Sequence, residues 1–309
     1  MNKKGKVILI VLAVLAVAAA AGGKILQSRP AAPADYQKTV ATGGTLEAKY
    51  LADGAYEVER YQEKTMQEFS PYTIYYPGEL AQFSQSWPVI VLDNGTGVPL
   101  SKYPAVARHY ASWGFIVIGT EEEYSWSGFG AEMCVRHLQR LNERETIEDQ
   151  ANVFCGKIDL DKIGIVGHSQ GGVGVINAIT VQPHHDRYQA AVVLSPTNME
   201  LAASLEWDYD PSGVSIPILL MAGAGGGDDW VVTGEQLKQI YDRIPSDKVM
   251  LRRSGTAHAE MLYAADGYVT AWFMALLKGD QEAAAAFSGK APEILSNPLY
   301  QDQAVGIGH

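Results

Sequence analysis

The stretch from Lys162 to Gly174, K-I-G-I-V-G-H-S-Q-G-G-V-G, limits the choice of fold more than any other part of the chain. A short apolar run, Ile163 to Val166, stops at Gly167-His168-Ser169-Gln170-Gly171, and a helix-compatible segment from Gly172 to Val181 follows. Strand, sharp turn and helix in that order lift the serine at the turn above the edge of a sheet, where its hydroxyl is accessible. The turn is tight enough that positions two residues either side of the serine must lack bulk, and Gly167 and Gly171 stand there. With 31 glycines in 309 residues, a G-x-S-x-G match alone is weak, and the strand and helix around it carry the signal. The competing reading is a glycine-rich turn whose serine merely caps a helix. Two further parts downstream, in the right order, favour Ser169 as a nucleophile.

The rest of the chain reads as strands alternating with helices. Expected strands are Tyr72–Pro77, Pro88–Leu92, Phe115–Ile118, Ala190–Leu194, Ile216–Met221 and Lys248–Leu251. Expected helices run from about Ser101 to Trp113, Ala131 to Arg144, Gly234 to Ile244 and Leu262 to Leu277. Alternation of this kind gives an α/β fold with a mostly parallel central sheet covered by helices on both faces. No internal repeat or second compositional domain interrupts it, so residues 46–309 read as one domain.

A hydrophobic content of 47% supplies a core, and the net charge of −11 argues against nucleic-acid partners or an anionic membrane surface. Lys3, Lys4 and Lys6 precede an apolar run from Val7 to Ala21 that ends in alanines and glycines. Residues 1–23 therefore read as a signal peptide or an N-terminal membrane anchor, the only membrane contact expected, and an extracytoplasmic location follows. Residues 24–45, with Pro30, Pro33, Gly43 and Gly44, read as a linker. Cys134 and Cys155 are the two cysteines, and either one disulfide or two buried thiols fits the sequence.

Each remaining candidate follows a strand, the reactive edge of such a sheet. Asp228 and Asp229 follow the strand ending near Met221, and His258 follows the strand ending near Leu251. A serine hydroxyl needs a base to take its proton, and a carboxylate to hold that imidazole in the right tautomer. His258 is expected as base and Asp229 as acid, on the Asp-Trp-Val-Val turn, with Asp228 the alternative acid. His168 is expected to point away and shape the turn. Acyl transfer also needs oxyanion donors. The N–H groups of Gln170 and of Thr96, in the turn Asp93-Asn-Gly-Thr-Gly-Val-Pro99, are the candidates. Glu121-Glu122-Glu123 and His184-His185-Asp186 read as solvated loops, with no metal or cofactor expected.

With these residues placed, the chain resembles the α/β-hydrolase superfamily from about Tyr50 to Lys278. It is most similar to the branch of cutinases, polyester hydrolases, chlorophyllases and dienelactone hydrolases. Val89–Thr96, Ile165–Gly172, Pro217–Gly223 and Ser254–His258 carry the likeness. The resemblance implies an α/β-hydrolase fold and a Ser-His-Asp carboxylic ester hydrolase. The expected substrate is a small-molecule or lipid-like ester, cleaved through an acyl-enzyme. Two departures weaken the link to polyesters: Thr197 follows Ser195-Pro196 where bacterial cutinases carry an aromatic, and Thr96 replaces their aromatic oxyanion-loop residue. Trp126, Tyr124, Phe129 and Trp230 are the aromatics available to line a pocket instead. A peptidase or acyltransferase on the same fold, or a non-catalytic binding protein, are the other readings of these residues.

Overall fold

The computed structural model describes residues 30–63 and 71–308. The expected signal or anchor segment lies outside the described residues. Nine strands form one sheet: β1 (Val58–Glu63), β2 (Tyr72–Pro77), β3 (Trp87–Asp93), β4 (Ile116–Thr120), β5 (Ile158–His168), β6 (Tyr188–Leu194), β7 (Ile218–Ala224), β8 (Lys248–Ser254) and β9 (Tyr300–Gly306). Their spatial order is β1-β2-β4-β3-β5-β6-β7-β8-β9. The six strands from β4 to β8 in that order pair in parallel, while β1, β2 and β9 pair antiparallel at the two edges.

Apolar side chains alternate along the inner strands, because successive Cβ atoms point to opposite faces. Ile90, Leu92, Val166, Val192, Leu194, Leu219, Met221 and Leu251 face one way, into a cluster with helices α2 (Pro104–Ser112) and α7 (Asp266–Lys278). Val89, Val91, Ile163, Ile165, Val193, Ile218 and Leu220 face the other way. They meet α3 (Phe129–Glu143), α4 (Gln170–Thr180) and α6 (Gly234–Arg243). Both faces are therefore dry, which is why these strands read as unbroken apolar runs. This is the α/β-hydrolase fold, a mostly parallel sheet between two helical layers.

Three local outcomes differ from the sequence reading. The expected helix over Leu262–Leu277 is two pieces, Met261–Ala264 and α7, with Asp266 buried where the second begins. Edge strands β1 and β9, and helices α1 (Thr45–Leu51) and α5 (Met199–Ser204), were not expected. Within the segment expected to be a linker, residues from 31 onward pack on the body: Ala32 and Tyr36 are buried, and Ala31 N–H donates to the Lys102 carbonyl. Tyr36 also donates to the buried Asp266 carboxylate, which Tyr110 bonds at 2.6 Å. Both cysteines are free thiols, Cys134 buried and Cys155 half-buried.

The register sets up the site. Asp93 lies opposite Gly167, His168 opposite Leu194, and Leu194 opposite Met221. The carboxyl ends of β3, β5, β6 and β7 are therefore in line, and the loops leaving them share one rim.

Candidate active site

Ser169 stands between β5 and α4 at φ 59° and ψ −119°, a conformation that costs a non-glycine residue of order 1–3 kcal/mol. Its surroundings enforce that conformation. A Cβ on Gly167 would lie 2.2 Å from the Gly171 carbonyl oxygen, and one on Gly171 would lie 2.2 Å from that of Asp93. Ser169 N–H donates to the Leu194 carbonyl at 2.8 Å, and its own carbonyl accepts from Gly172 at 2.9 Å. The serine is half-buried at the top of the turn.

The loop after β3 arches over this turn. A Cβ on Gly95 would meet the Ser169 Cβ at 3.7 Å, so this loop and the serine are in contact range. Gly95-Thr96-Gly97-Val98 is a tight turn, closed by Val98 N–H to the Gly95 carbonyl at 3.1 Å, with Gly97 at φ 67°. Gly97 N–H is taken by the Glu123 carbonyl, and Thr96 is exposed. Gln170 is the first residue of α4, a position whose N–H has no acceptor within the helix. Asn94 holds the loop down, donating from Nδ2 to the carbonyls of Thr120 and Glu122 at 2.8 Å each and accepting from the Tyr103 hydroxyl.

His258 lies in a single helical turn after β8, a quarter exposed at its side chain. Its Nδ1 is 2.5 Å from Asp228 Oδ1. The ionised carboxylate only accepts, so Nδ1 carries the proton and Nε2 keeps a free lone pair. Asp228 is fully buried, and its other oxygen accepts from Ser195 Oγ at 2.9 Å and from Gly223 N–H at 2.5 Å. Three donors thus fix one carboxylate, satisfying the demand that burying a charge imposes.

The residue expected to meet the imidazole, Asp229, does not. It follows Asp228 in the same helical turn, 59% exposed at its side chain, and pairs with Arg252 Nη2 at 2.5 Å. Successive residues of a helical turn cannot face the same side, and Gly227, at φ 89°, starts the turn so that Asp228 points inward. His168 also differs from expectation. Instead of pointing away, it packs against the His258 ring at 4.6 Å between centroids, and its Nε2 donates to the His258 carbonyl at 2.8 Å. Burial, then the neighbouring His258, lower its pKa from 6.5 to about 3, so it is a neutral structural donor. His168 is how the chain fastens the His258 loop beside Ser169.

Ser195 was not singled out from sequence as a partner of the acid. It sits at φ 44° immediately after β6, in the same place relative to its strand as Ser169 is to β5, which is the one signal that could have found it. Among the flanking aromatics, Tyr124 and Trp230 are largely exposed on loops leaving β4 and β7, and Phe129 is half exposed at the start of α3. His184 and His185 bond Glu132 and the Gln182 carbonyl, well away from this rim. No group of three or more metal-ligating side chains occurs among the described residues.

Sheet order, strained serine and a carboxylate-bound histidine at one rim narrow the possible relatives, and sequence comparison narrows them further. A family model described as PET hydrolase-like matches residues 32–294. The chain belongs to the PET hydrolase-like family. It is 26% identical over 190 residues to the bis(hydroxyethyl) terephthalate hydrolase of Streptomyces coelicolor, covering 60% of this chain and 54% of that protein. It is 25% identical over 192 residues to the cutinase est2 of Thermobifida alba, covering 60% and 56%. The match therefore spans about half the length of each curated relative. The PET hydrolase-like assignment places the chain in the cutinase and polyester hydrolase branch of the α/β-hydrolase superfamily.

Proposed function

We propose that this protein hydrolyses carboxylic esters through an acyl-enzyme on Ser169. The observation that carries the reading is the bond from His258 to a buried, triply held Asp228, on a loop fastened by His168 beside the strained serine. In this scheme His258 Nε2 takes the Ser169 proton as the oxygen attacks the ester carbonyl, then returns it to the departing alcohol. Asp228 holds the tautomer and stabilises the imidazolium. The N–H groups of Gln170 and Thr96 receive the developing oxyanion. Water, activated by the same imidazole, then releases the acid.

The two relatives' names, a terephthalate diester hydrolase and a cutinase, support small aryl or aliphatic esters as substrates. Exposed Tyr124 and Trp230 offer apolar surface for such a group. The basic and then apolar pattern over residues 3–21 supports export, and among the described residues no helix is long and apolar enough to cross a membrane. The test is labelling by a fluorophosphonate together with turnover of nitrophenyl esters and of bis(hydroxyethyl) terephthalate. Wild type should label and turn over, and Ser169→Ala should do neither while keeping its melting temperature. Labelling that survives Ser169→Ala would overturn the assignment.

A further inference from the structure

Asp93 ends β3 directly beneath the oxyanion loop, and its carboxyl group is almost wholly buried. It fits a slot that glycines create. A Cβ on Gly174 of α4 would lie 2.0 Å from Asp93 Oδ2, and one on Gly130 of α3 would lie 3.9 Å from Oδ1. The same Gly174 Cβ would lie 2.3 Å from the Ser125 carbonyl oxygen, so Oδ2 and that carbonyl flank one missing methyl group. Among the described residues Oδ2 meets no donor. The titratable groups around the carboxyl are Tyr103 from the turn before α2, Tyr110 from α2, His168 from the elbow, Cys134 from α3 and Tyr188 from β6. Burial keeps all five neutral, and none supplies a positive charge. An ionised Oδ2 here would lie near a carbonyl oxygen and meet no donor, an arrangement that is costly for a buried charge.

We propose that Asp93 is a neutral carboxylic acid that positions the oxyanion loop, its O–H donating to the Ser125 carbonyl. Ser125 is the hub that makes this matter. Its hydroxyl donates to the Asn94 carbonyl, in the oxyanion loop, and its N–H donates to Gln170 Oε1, at 2.9 Å, in the elbow helix. An acid proton from Asp93 closes a ring joining β3, the loop after β4 and the first turn of α4. The two proposed oxyanion donors, Thr96 and Gln170, lie on two sides of that ring.

Burial pushes the Asp93 carboxyl well above its ordinary range. The folded protein then holds a proton that the unfolded chain releases near pH 3.9, so stability falls as pH rises from there toward the folded pKa. Each pH unit inside that window costs wild type tenfold in its folding equilibrium, a loss that Asp93→Asn escapes. The positioning role rests on the ester-hydrolase reading above; the protonation state does not.

The experiment compares wild type, Asp93→Asn and Asp93→Ala. Difference infrared spectra of wild type against Asp93→Asn at neutral pH should show the carbonyl stretch of a protonated carboxylic acid, and its absence would overturn the proposal. From pH 5 upward the folding equilibrium should move in favour of Asp93→Asn over wild type by about tenfold per pH unit until the folded pKa is reached, measured in urea. An unchanged gap would overturn it as well. In turnover of a soluble nitrophenyl ester, Asp93→Ala should lose kcat, and Asp93→Asn, whose amide can still donate to Ser125, should recover most of it. A folded Asp93→Ala with wild-type kcat would remove the positioning role. If wild type itself neither labels with fluorophosphonate nor turns over, the ester reading has failed, and the infrared band and the urea gap still decide the proton on Asp93.

Discussion

Exchanging Asp228 for asparagine changes one atom, and the surrounding bonds dictate the consequence. The oxygen facing Gly223 N–H and Ser195 Oγ receives a backbone donor that cannot reverse its polarity. The oxygen of the new amide must therefore take that place, turning its NH₂ toward His258 Nδ1, 2.5 Å from the present oxygen. To accept from it, Nδ1 must lose its proton, and the proton moves to Nε2. In the proposed mechanism the imidazole would then offer Ser169 a donor and could not take its proton. Inverting the tautomer in a Ser-His-Asp site lowers kcat by about 10⁴-fold. That is about 5 kcal/mol of transition-state stabilisation. Asp229→Asn makes the same chemical change on a side chain that is 59% exposed, pairs with Arg252 and is not bonded to His258, so kcat should fall by less than about tenfold. The assay is steady-state hydrolysis of a nitrophenyl ester, with melting temperatures confirming that both variants fold. An Asp228→Asn loss below tenfold, or a larger loss in Asp229→Asn, would refute the tautomer argument.

Ser195→Ala removes one of the three donors to Asp228 while leaving Gly223 N–H in place. A hydrogen bond to a charged group contributes about 1.5–3 kcal/mol, so kcat should drop on the order of tenfold with KM little changed, read from the same ester assay. Gly174→Ala would ordinarily strengthen a helix by about 1 kcal/mol. Here the new methyl would overlap Asp93 Oδ2 and the Ser125 carbonyl, and chemical denaturation should show a net loss of about 1–3 kcal/mol. His168, whose folded pKa of about 3 lies below its unfolded value of 6.5, binds fewer protons than the unfolded chain between those two values. Its contribution is complete above pH 6.5 and is lost as pH falls toward 3, at up to about 1.4 kcal/mol per unit. Stability curves of His168→Gln against pH should lack that part of the acid slope.

What the sequence reveals of this protein follows what is local in it. Ile163–Val166 and the glycines about Ser169 announce a strand, a turn and a helix within a dozen residues, because each needs only its neighbours to form. The choice between Asp228 and Asp229 is not local. It depends on where Gly227 leaves the backbone after β7, and on Arg252, a residue of another strand, drawing the second carboxylate outward. His168 likewise finds its partner 90 positions later, at the His258 carbonyl. Edge strands β1 and β9 bury few residues, none in β1 and the two terminal ones in β9, so they mix polar and apolar types without a continuous run. Tyr36 belongs to the body through a buried bond to Asp266, a partner 230 positions away. A Pro- and Gly-bearing stretch gives no sign of such bonds.

The backbone angles of Ser169 have a consequence for how this protein can change. Only glycine adopts that conformation freely, so the chain gives up of order 1–3 kcal/mol at the residue proposed to react. Replacing Ser169 with glycine would release that energy and silence the chemistry in one step. Screening for heat tolerance alone therefore pulls this position toward inactivity, and the hydroxyl persists only while turnover is demanded alongside it.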